Sequence, residues 1–263
     1  MAHFNCFNIN NSKNIRNPWN APVRFLRRCT STMDEMRHWE REGAPHGSVI
    51  ITDFQDAGRG RLPNRRWSGT AGKNLLFTVL FRYADISTIP NALTLRIGLA
   101  AALAVEDAVP ALAGMVHIKW PNDLMLNGRK FSGILAESDG KNVFIGIGVN
   151  VLQHDFKHLP RATSIMREVK IDEAGLRLRL FETLLAHIAG GLTNDNLWRE
   201  RINERLFMKG EYVQFLAGGA ETPTVCTGIL CGVSASGALL LGDNAGNSRE
   251  FIAGEISIAA CRI

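Results

Sequence analysis

No uninterrupted apolar run in this 263-residue sequence approaches the roughly 20 residues needed to cross a bilayer. The longest, residues 97–105, falls far short, so no membrane span is expected. The N-terminus, MAHFNCFNINNSKNIRNPWN, lacks an apolar h-region and carries seven Asn in its first twenty residues. It reads as a poorly ordered tail (residues 1–22) rather than a signal peptide. The five cysteines, Cys6, Cys29, Cys226, Cys231 and Cys261, are odd in number and include no C-x-x-C pair. That argues against a disulfide framework and a zinc site, and for a reducing, cytoplasmic setting. His154 and His158 sit four apart without an H-E-x-x-H pattern and read as solvated loop residues, so no metal ligands are predicted. A G-x-x-x-x-G-K-[ST] motif is also missing, which excludes a P-loop. There is no internal repeat or low-complexity tract. Only about twenty polar residues precede the first predicted strand, so a helix-turn-helix ahead of it is not expected.

What is present is ordinary for a globular chain: 46% hydrophobic and 21% charged residues, at a length that buries roughly 70 to 75% of the unfolded surface. One large domain with a small one fits this size. Thirty Lys and Arg against 25 Asp and Glu give a net charge of +5, and Arg59, Arg61, Arg65 and Arg66 fall in one segment. A nucleic-acid binder spreads its cations along a face, whereas a tight Gly/Arg cluster suits a small polyanion such as a nucleotide phosphate. No nucleic-acid partner is expected.

Patterning predicts strands at residues 23–28, 48–54, 74–82 and 116–119, and a hairpin from 130–137 and 143–149 turning at Asp139-Gly140-Lys141. Helices are predicted over residues 32–42, with Thr32 and Glu35 as a capping box, and over 88–109, 172–188 and 194–206. From residue 208 short apolar runs alternate with Gly-rich turns, the pattern of a small all-β unit. The expected division is therefore 23–207 and 208–263.

Four segments carry candidate chemistry. Gly58-Arg59-Gly60-Arg61 follows a predicted strand, where glycines admit an anion to the backbone and arginines can grip it; a solvated basic turn is the equal alternative. Lys119-Trp120-Pro121-Asn122-Asp123-Leu124 puts a cation, an aromatic and a carboxylate on one turn. Gly133-Ile134-Leu135-Ala136-Glu137 and Gly146-Ile147-Gly148-Val149-Asn150 read as strands with close backbone approach at glycine. Taken singly, each of the last three is ordinary structural sequence.

In this order, however, S-T at Ser31-Thr32, D-x-Q-x-A-G-R-G-R, K-W-P-N-D-L, R-K-x-x-G-I-L-x-E and G-I-G-V-N resemble the biotin protein ligase family. The resemblance covers about residues 30–165, and Gly254-Glu255-Ile256-Ser257 looks like the family's C-terminal domain. It implies an α+β fold: a mixed sheet with flanking helices, related to class II aminoacyl-tRNA synthetases, followed by an SH3-like barrel. It also implies that biotin attacks the α-phosphate of Mg²⁺-ATP and that a lysine of a biotin carboxyl carrier domain then attacks biotinyl-5′-AMP.

Under that resemblance Lys130, Arg59 and Arg61 would neutralise carboxylate and phosphate in the transition state. Asp123 would orient or deprotonate the acceptor amine, which as a free lysine side chain titrates near about 10.4, a cap of the turn after Pro121 being the equal alternative. Ser31, Thr32 and Gln55 resemble contacts to the ureido ring, and Gly58 and Gly133 would admit the ligand to the backbone. Trp67 and Trp120 would wall the ring or brace the loop, with buried core packing the equal alternative. Lys119, Asn122, Gly146, Gly148 and Asn150 complete the binding set, with Asn150 and the loop through Ala162, Thr163 and Ser164 around adenine and ribose. Two departures stand out. The Gly/Arg segment reads GRGRLPNRRW, leaving the roles of Arg65 and Arg66 open, and Met33 stands where Asn commonly follows S-T.

Two other functions are compatible with these features: a lipoate or other acyl-acid ligase of the same fold, and a biotin-responsive transcriptional regulator. A homodimer is compatible with either.

Overall fold

The computed structural model describes residues 15–62, 65–192, 197–218, 223–243 and 246–257. In chain order the elements are β1 (Val23–Leu26), α1 (Thr32–Arg41), β2 (Val49–Thr52), β3 (Gly58–Arg59), β4 (Arg66–Trp67), β5 (Asn74–Arg82) and α2 (Leu93–Ala108). There follow β6 (His117–Lys119), β7 (Asp123–Leu126), β8 (Arg129–Asp139), β9 (Asn142–Asn150), α3 (Ile165–Glu168), α4 (Leu176–Gly191) and α5 (Trp198–Arg205). The last five strands are β10 (Tyr212–Ala217), β11 (Thr224–Val233), β12 (Leu239–Gly242), β13 (Ser248–Phe251) and β14 (Gly254–Ser257).

A seven-stranded sheet runs β1-β2-β5-β9-β8-β7-β6, with β1 and β2 parallel and every other neighbouring pair antiparallel. Because alternate strand residues face opposite sides, each strand supplies two layers. Val49 and Ile51, Leu75, Phe77, Val79 and Phe81, and Ile145, Ile147 and Val149 point into a large core with α2, α4 and α5. Ile50, Leu80 and Phe144 point the other way, against Met33, Met36 and Trp39 of α1. On this α1 face the strand positions next to those residues are glycines, Gly146 and Gly148 on β9 and Gly133 opposite on β8. The missing side chains leave a hollow beyond the N-terminal end of α1.

A second, five-stranded antiparallel sheet runs β13-β12-β11-β10-β14. It is joined to the first where the Trp120 ring meets Phe215 at 5.8 Å, tilted by 58°, and donates its Nε1–H to Gly237 O at 3.0 Å.

Several local expectations change. Ser31, not Thr32, caps α1: its Oγ accepts from Met33 N, and the Thr32/Glu35 capping box does not form. α2 starts at Leu93 rather than residue 88, because Pro90 interrupts the apolar pattern after a short 3₁₀ turn. The short α3 has no counterpart among the predicted helices. Residues 15–22, expected within a loose tail, are packed: Trp19 meets Phe81 edge-on at 5.3 Å, and Asn17 Nδ2 bonds Ala21 O and Gly47 O. By length and composition Ile86–Ala108 could cross a membrane, contrary to the reading from uninterrupted runs. In the fold its helix α2 is a core element, with eleven of sixteen residues buried.

Candidate functional site

The hollow on the α1 face continues into a wider chamber. The inner slot, about 70 Å³, is lined by Ser31, Thr32, Met33, Gln55, Arg59, Trp67, Gly133, Gly146 and Gly148 among others. The outer chamber, about 520 Å³, is lined by Arg65, Arg66, Lys119, Trp120, Asp123, Asn150, Arg161 and Ala162 among others, and reaches Leu216, Glu255 and Ser257 of the second sheet. Arg61, Trp67, Asn122 and Lys130 border both. A third hollow of about 620 Å³, between α5 and the second sheet, touches none of the predicted site residues.

Polar groups gather at the slot's closed end. Thr32 donates from N (2.8 Å) and Oγ1 (3.1 Å) to Gln55 Oε1, and Thr78 Oγ1 donates to Thr32 Oγ1 at 2.8 Å. With its oxygen occupied, Gln55 keeps its amide nitrogen, on the side of Gly58, for a further bond. Trp67 roofs the slot. A Cβ on Gly148 would lie 2.6 Å from its indole and one on Gly133 3.2 Å, so glycine is required for this approach. The Trp67 Nε1–H is buried without a partner among the described residues.

The junction is charged. Lys130 Nζ lies 2.6 Å from Asp123 Oδ1 across the β7–β8 ladder and 5.9 Å from the Trp67 ring centroid. Lys119 is buried, its Nζ 3.7 Å from Glu255 Oε1. Burial holds its amine below the ordinary lysine value, aided by Lys130 and opposed by Asp123 and Glu255. Asn122 clamps β8, donating from Nδ2 to Ile134 O (2.8 Å) while its own carbonyl accepts from Ile134 N (2.9 Å). Asn150 Nδ2 bonds Thr163 O at 3.0 Å, leaving Asn150 Oδ1 a buried acceptor with no partner among the described residues.

Some predicted residues lie elsewhere than expected. Gly58 lines neither cavity: it pairs with Trp67, and a Cβ there would sit 2.9 Å from Gln55 Nε2, so it supports the slot from behind. Arg59 lines the slot but turns to α1, with Nη1 2.6 Å from Asp34 Oδ1 and Nη2 3.7 Å from Glu137 Oε2. Arg61 Nη2 donates to Gly254 O of the second sheet at 2.8 Å. Ala162 faces the chamber, but Thr163 and Ser164 do not line it; their hydroxyls are used by Glu168 and by Gln153 O.

Sequence reasoning missed the participation of Glu255, whose G-E-I-S setting reads only as a domain marker. It also missed a buried support below the site, where Arg177 binds Asp53 (2.8 Å), Asn74 O and Gly72 O. An arginine in an apolar helical pattern gives no sign of that pairing.

Residues 25–151 match the Biotin/lipoate A/B protein ligase family. Over those residues the chain is similar to this family. It is 35% identical over 159 residues to the bifunctional ligase/repressor BirA of Bacillus spizizenii, covering 56% of this chain and 47% of that protein. It is 39% identical over 124 residues to the biotin–[acetyl-CoA-carboxylase] ligase of Mycobacterium tuberculosis, covering 46% and 45% respectively. These matches span about half the length of the two relatives. In three dimensions it is similar to the biotin protein ligase from Aquifex aeolicus in complex with biotin and ATP, with a TM-score of 0.75, 26% identity, and 89% of this chain and 97% of that one covered. The first sheet with its helices is thus the mixed α+β biotin/lipoate ligase fold.

Proposed function

We propose that the protein is an ATP-dependent biotin protein ligase, which joins biotin to the α-phosphate of ATP and passes the biotinyl group to a carrier-domain lysine. The observation that carries this reading is the pair of connected cavities with Lys130 at their junction. A polar-ended slot suits the bicyclic ring, the chamber suits the nucleotide, and the cation sits where carboxylate and phosphate must meet. The similar Aquifex aeolicus enzyme was solved with biotin and ATP, in keeping with those two ligands. Magnesium would arrive with the nucleotide as part of the substrate.

In the first step the carboxylate oxygen attacks the α-phosphorus and pyrophosphate leaves; Lys130 and Arg61 stabilise charge passing between the two anions. Asn150 Oδ1 offers an acceptor to the nucleoside. In the second step the acceptor amine, its proton taken up with Asp123 as the nearby carboxylate, attacks the acyl carbon and AMP leaves.

We read the acceptor as the carrier domain of a biotin-dependent carboxylase, the setting as cytoplasmic, and residues 208–263 as an SH3-like barrel; the antiparallel order of the second sheet supports the last of these. We also propose that the protein does not bind DNA sequence-specifically, since the Gly/Arg segment that concentrates its basic charge faces the chamber. A biotin-dependent footprint at physiological salt would refute that. The ligand reading is tested by thermal shift with biotin, lipoate and octanoate: biotin alone should raise the melting temperature strongly, and preferential stabilisation by lipoate would favour a lipoate ligase.

A further inference from the structure

Glu168 is a buried carboxylate that the proposed chemistry does not use. It closes α3, its side chain is 3% exposed, and it lines neither the slot nor the chamber. Three donors converge on it from two directions. From the turn between β7 and β8, Arg129 Nη2 donates to Oε1 at 2.8 Å and Asn127 Nδ2 to Oε2 at 2.6 Å. From the loop after β9, Thr163 Oγ1 also donates to Oε1. A carboxylate is kept out of water only where it is paired and hydrogen-bonded, and Glu168 is both.

Thr163 is fully buried and commits all of its polar groups to linkage. Besides the bond to Glu168, its N–H donates to Lys130 O at 2.9 Å and its carbonyl accepts from Asn150 Nδ2 at 3.0 Å. Residues 161–163 thereby take up, beside Lys130, the place that β9 leaves when it ends at Asn150. Lys130 N donates to Arg161 O at 2.8 Å, and Lys130 pairs in parallel with Ala162. The same carbonyl of Thr163 decides how the Asn150 amide lies. With its nitrogen turned to Thr163 O, the amide keeps its oxygen as a buried acceptor without a partner among the described residues; a flipped amide would set two oxygens against each other.

We infer that Glu168 is a positioning residue for the nucleotide: by holding Thr163 against the β7–β8 turn, it sets the Asn150 acceptor and the Lys130 main chain at the chamber wall while touching no ligand itself. This rests on the ligase reading and deepens it. None of the residues that hold the closed end of the slot bonds to this clamp, so its loss falls on the nucleotide and not on the acid.

The experiment is pyrophosphate release against Mg²⁺-ATP concentration at saturating biotin, beside calorimetric titration of biotin alone, for the full chain, Glu168→Ala, Thr163→Val and the double variant. Glu168→Ala leaves three donors without their acceptor and should raise KM for ATP about tenfold or more. The change in kcat should be smaller, since Lys130 keeps its pairing with Met125. Biotin affinity without ATP should stay within about twofold, as expected for a site that shares no partner with the clamp. Thr163→Val removes the hydroxyl and keeps the branched shape; it should raise KM for ATP about three- to tenfold, and the double variant should be no worse than Glu168→Ala, because both act through one carboxylate. Should Glu168→Ala fail to fold, Thr163→Val against the parent decides the matter. An unchanged KM for ATP, or a biotin affinity that falls in step with it, would make Glu168 a residue that stabilises the fold alone and would overturn the inference. If the parent chain releases no pyrophosphate with biotin, it is the ligase reading that fails, and the inference with it.

Discussion

Lys130 Nζ and Asp123 Oδ1 are 2.6 Å apart, an ion pair at the mouth between slot and chamber. Under the proposed function each half would serve a different step, the cation adenylation and the carboxylate transfer. In that proposal an incoming pair of anions would compete with Asp123 for Lys130, and a carboxylate released in this way would then meet an ammonium group.

Lys130→Ala should therefore slow adenylation by about 10²–10³, roughly 3 to 4 kcal/mol of lost transition-state stabilisation. Biotin affinity without ATP should change much less. Asp123→Asn should do the reverse, forming biotinyl-AMP but slowing transfer by about 10²-fold or more. Pyrophosphate release at saturating biotin and Mg²⁺-ATP, beside single-turnover transfer, separates the two. An unchanged adenylation rate in Lys130→Ala would make Lys130 a surface lysine of the hairpin.

The Gly/Arg segment, residues 56–66, should order over the adenylate. Its described part is a two-rung ribbon, Gly58 with Trp67 and Arg59 with Arg66, tied to the second sheet by Arg61. So few contacts imply easy local opening until an anion neutralises the arginines. Hydrogen exchange with and without biotinyl-AMP should show added protection here; equal protection would remove the proposal. Arg61→Gly also loses the bond to Gly254 O and should let adenylate escape, labelling bystander lysines.

Gly148→Ala should damage the slot without touching a charged group. The new methyl would fall 2.6 to 2.9 Å from the Trp67 indole, which must move. Overpacking of this kind costs about 1–3 kcal/mol, and loss of the roof should weaken biotin binding as well. Denaturant unfolding and calorimetry check both; wild-type biotin affinity would show that Trp67 is not the roof of the ligand site.

Lys119 predicts a pH dependence. Burial lowers its folded pKa below the ordinary 10.5, so between the two values the unfolded chain binds more protons and stability rises with pH. Below the folded value the penalty for burying the charged amine is fully present; above 10.5 it is gone. The parent should thus gain stability relative to Lys119→Met as pH climbs from neutral toward 10.5 and beyond. Urea unfolding at about pH 7 and about pH 10 checks this, and parallel stabilities would contradict it.

How much of this is legible in the sequence follows from the range of each interaction. β5 is readable to the residue because both faces of NLLFTVLFR are buried and its ends are marked by the change to polar residues. The slot's glycines are recognisable as places of close approach, since a glycine within a strand pattern has few other uses. The Arg61–Gly254 bond joins residues 193 apart and Asp53–Arg177 residues 124 apart, distances at which no local pattern carries information. The cap of α1 is misplaced by one residue because Ser31 and Thr32 have similar capping chemistry. Only the fold reveals that Thr32 is held by Gln55 and Thr78 instead.

The central claim is that this site activates an acid bearing a ureido ring by adenylation, and it is tested most directly by pyrophosphate release from Mg²⁺-ATP in the presence of biotin, lipoate or octanoate. The account predicts rapid release with biotin and little with the other two. Release supported equally well by lipoate or octanoate, or no release with biotin, would contradict it.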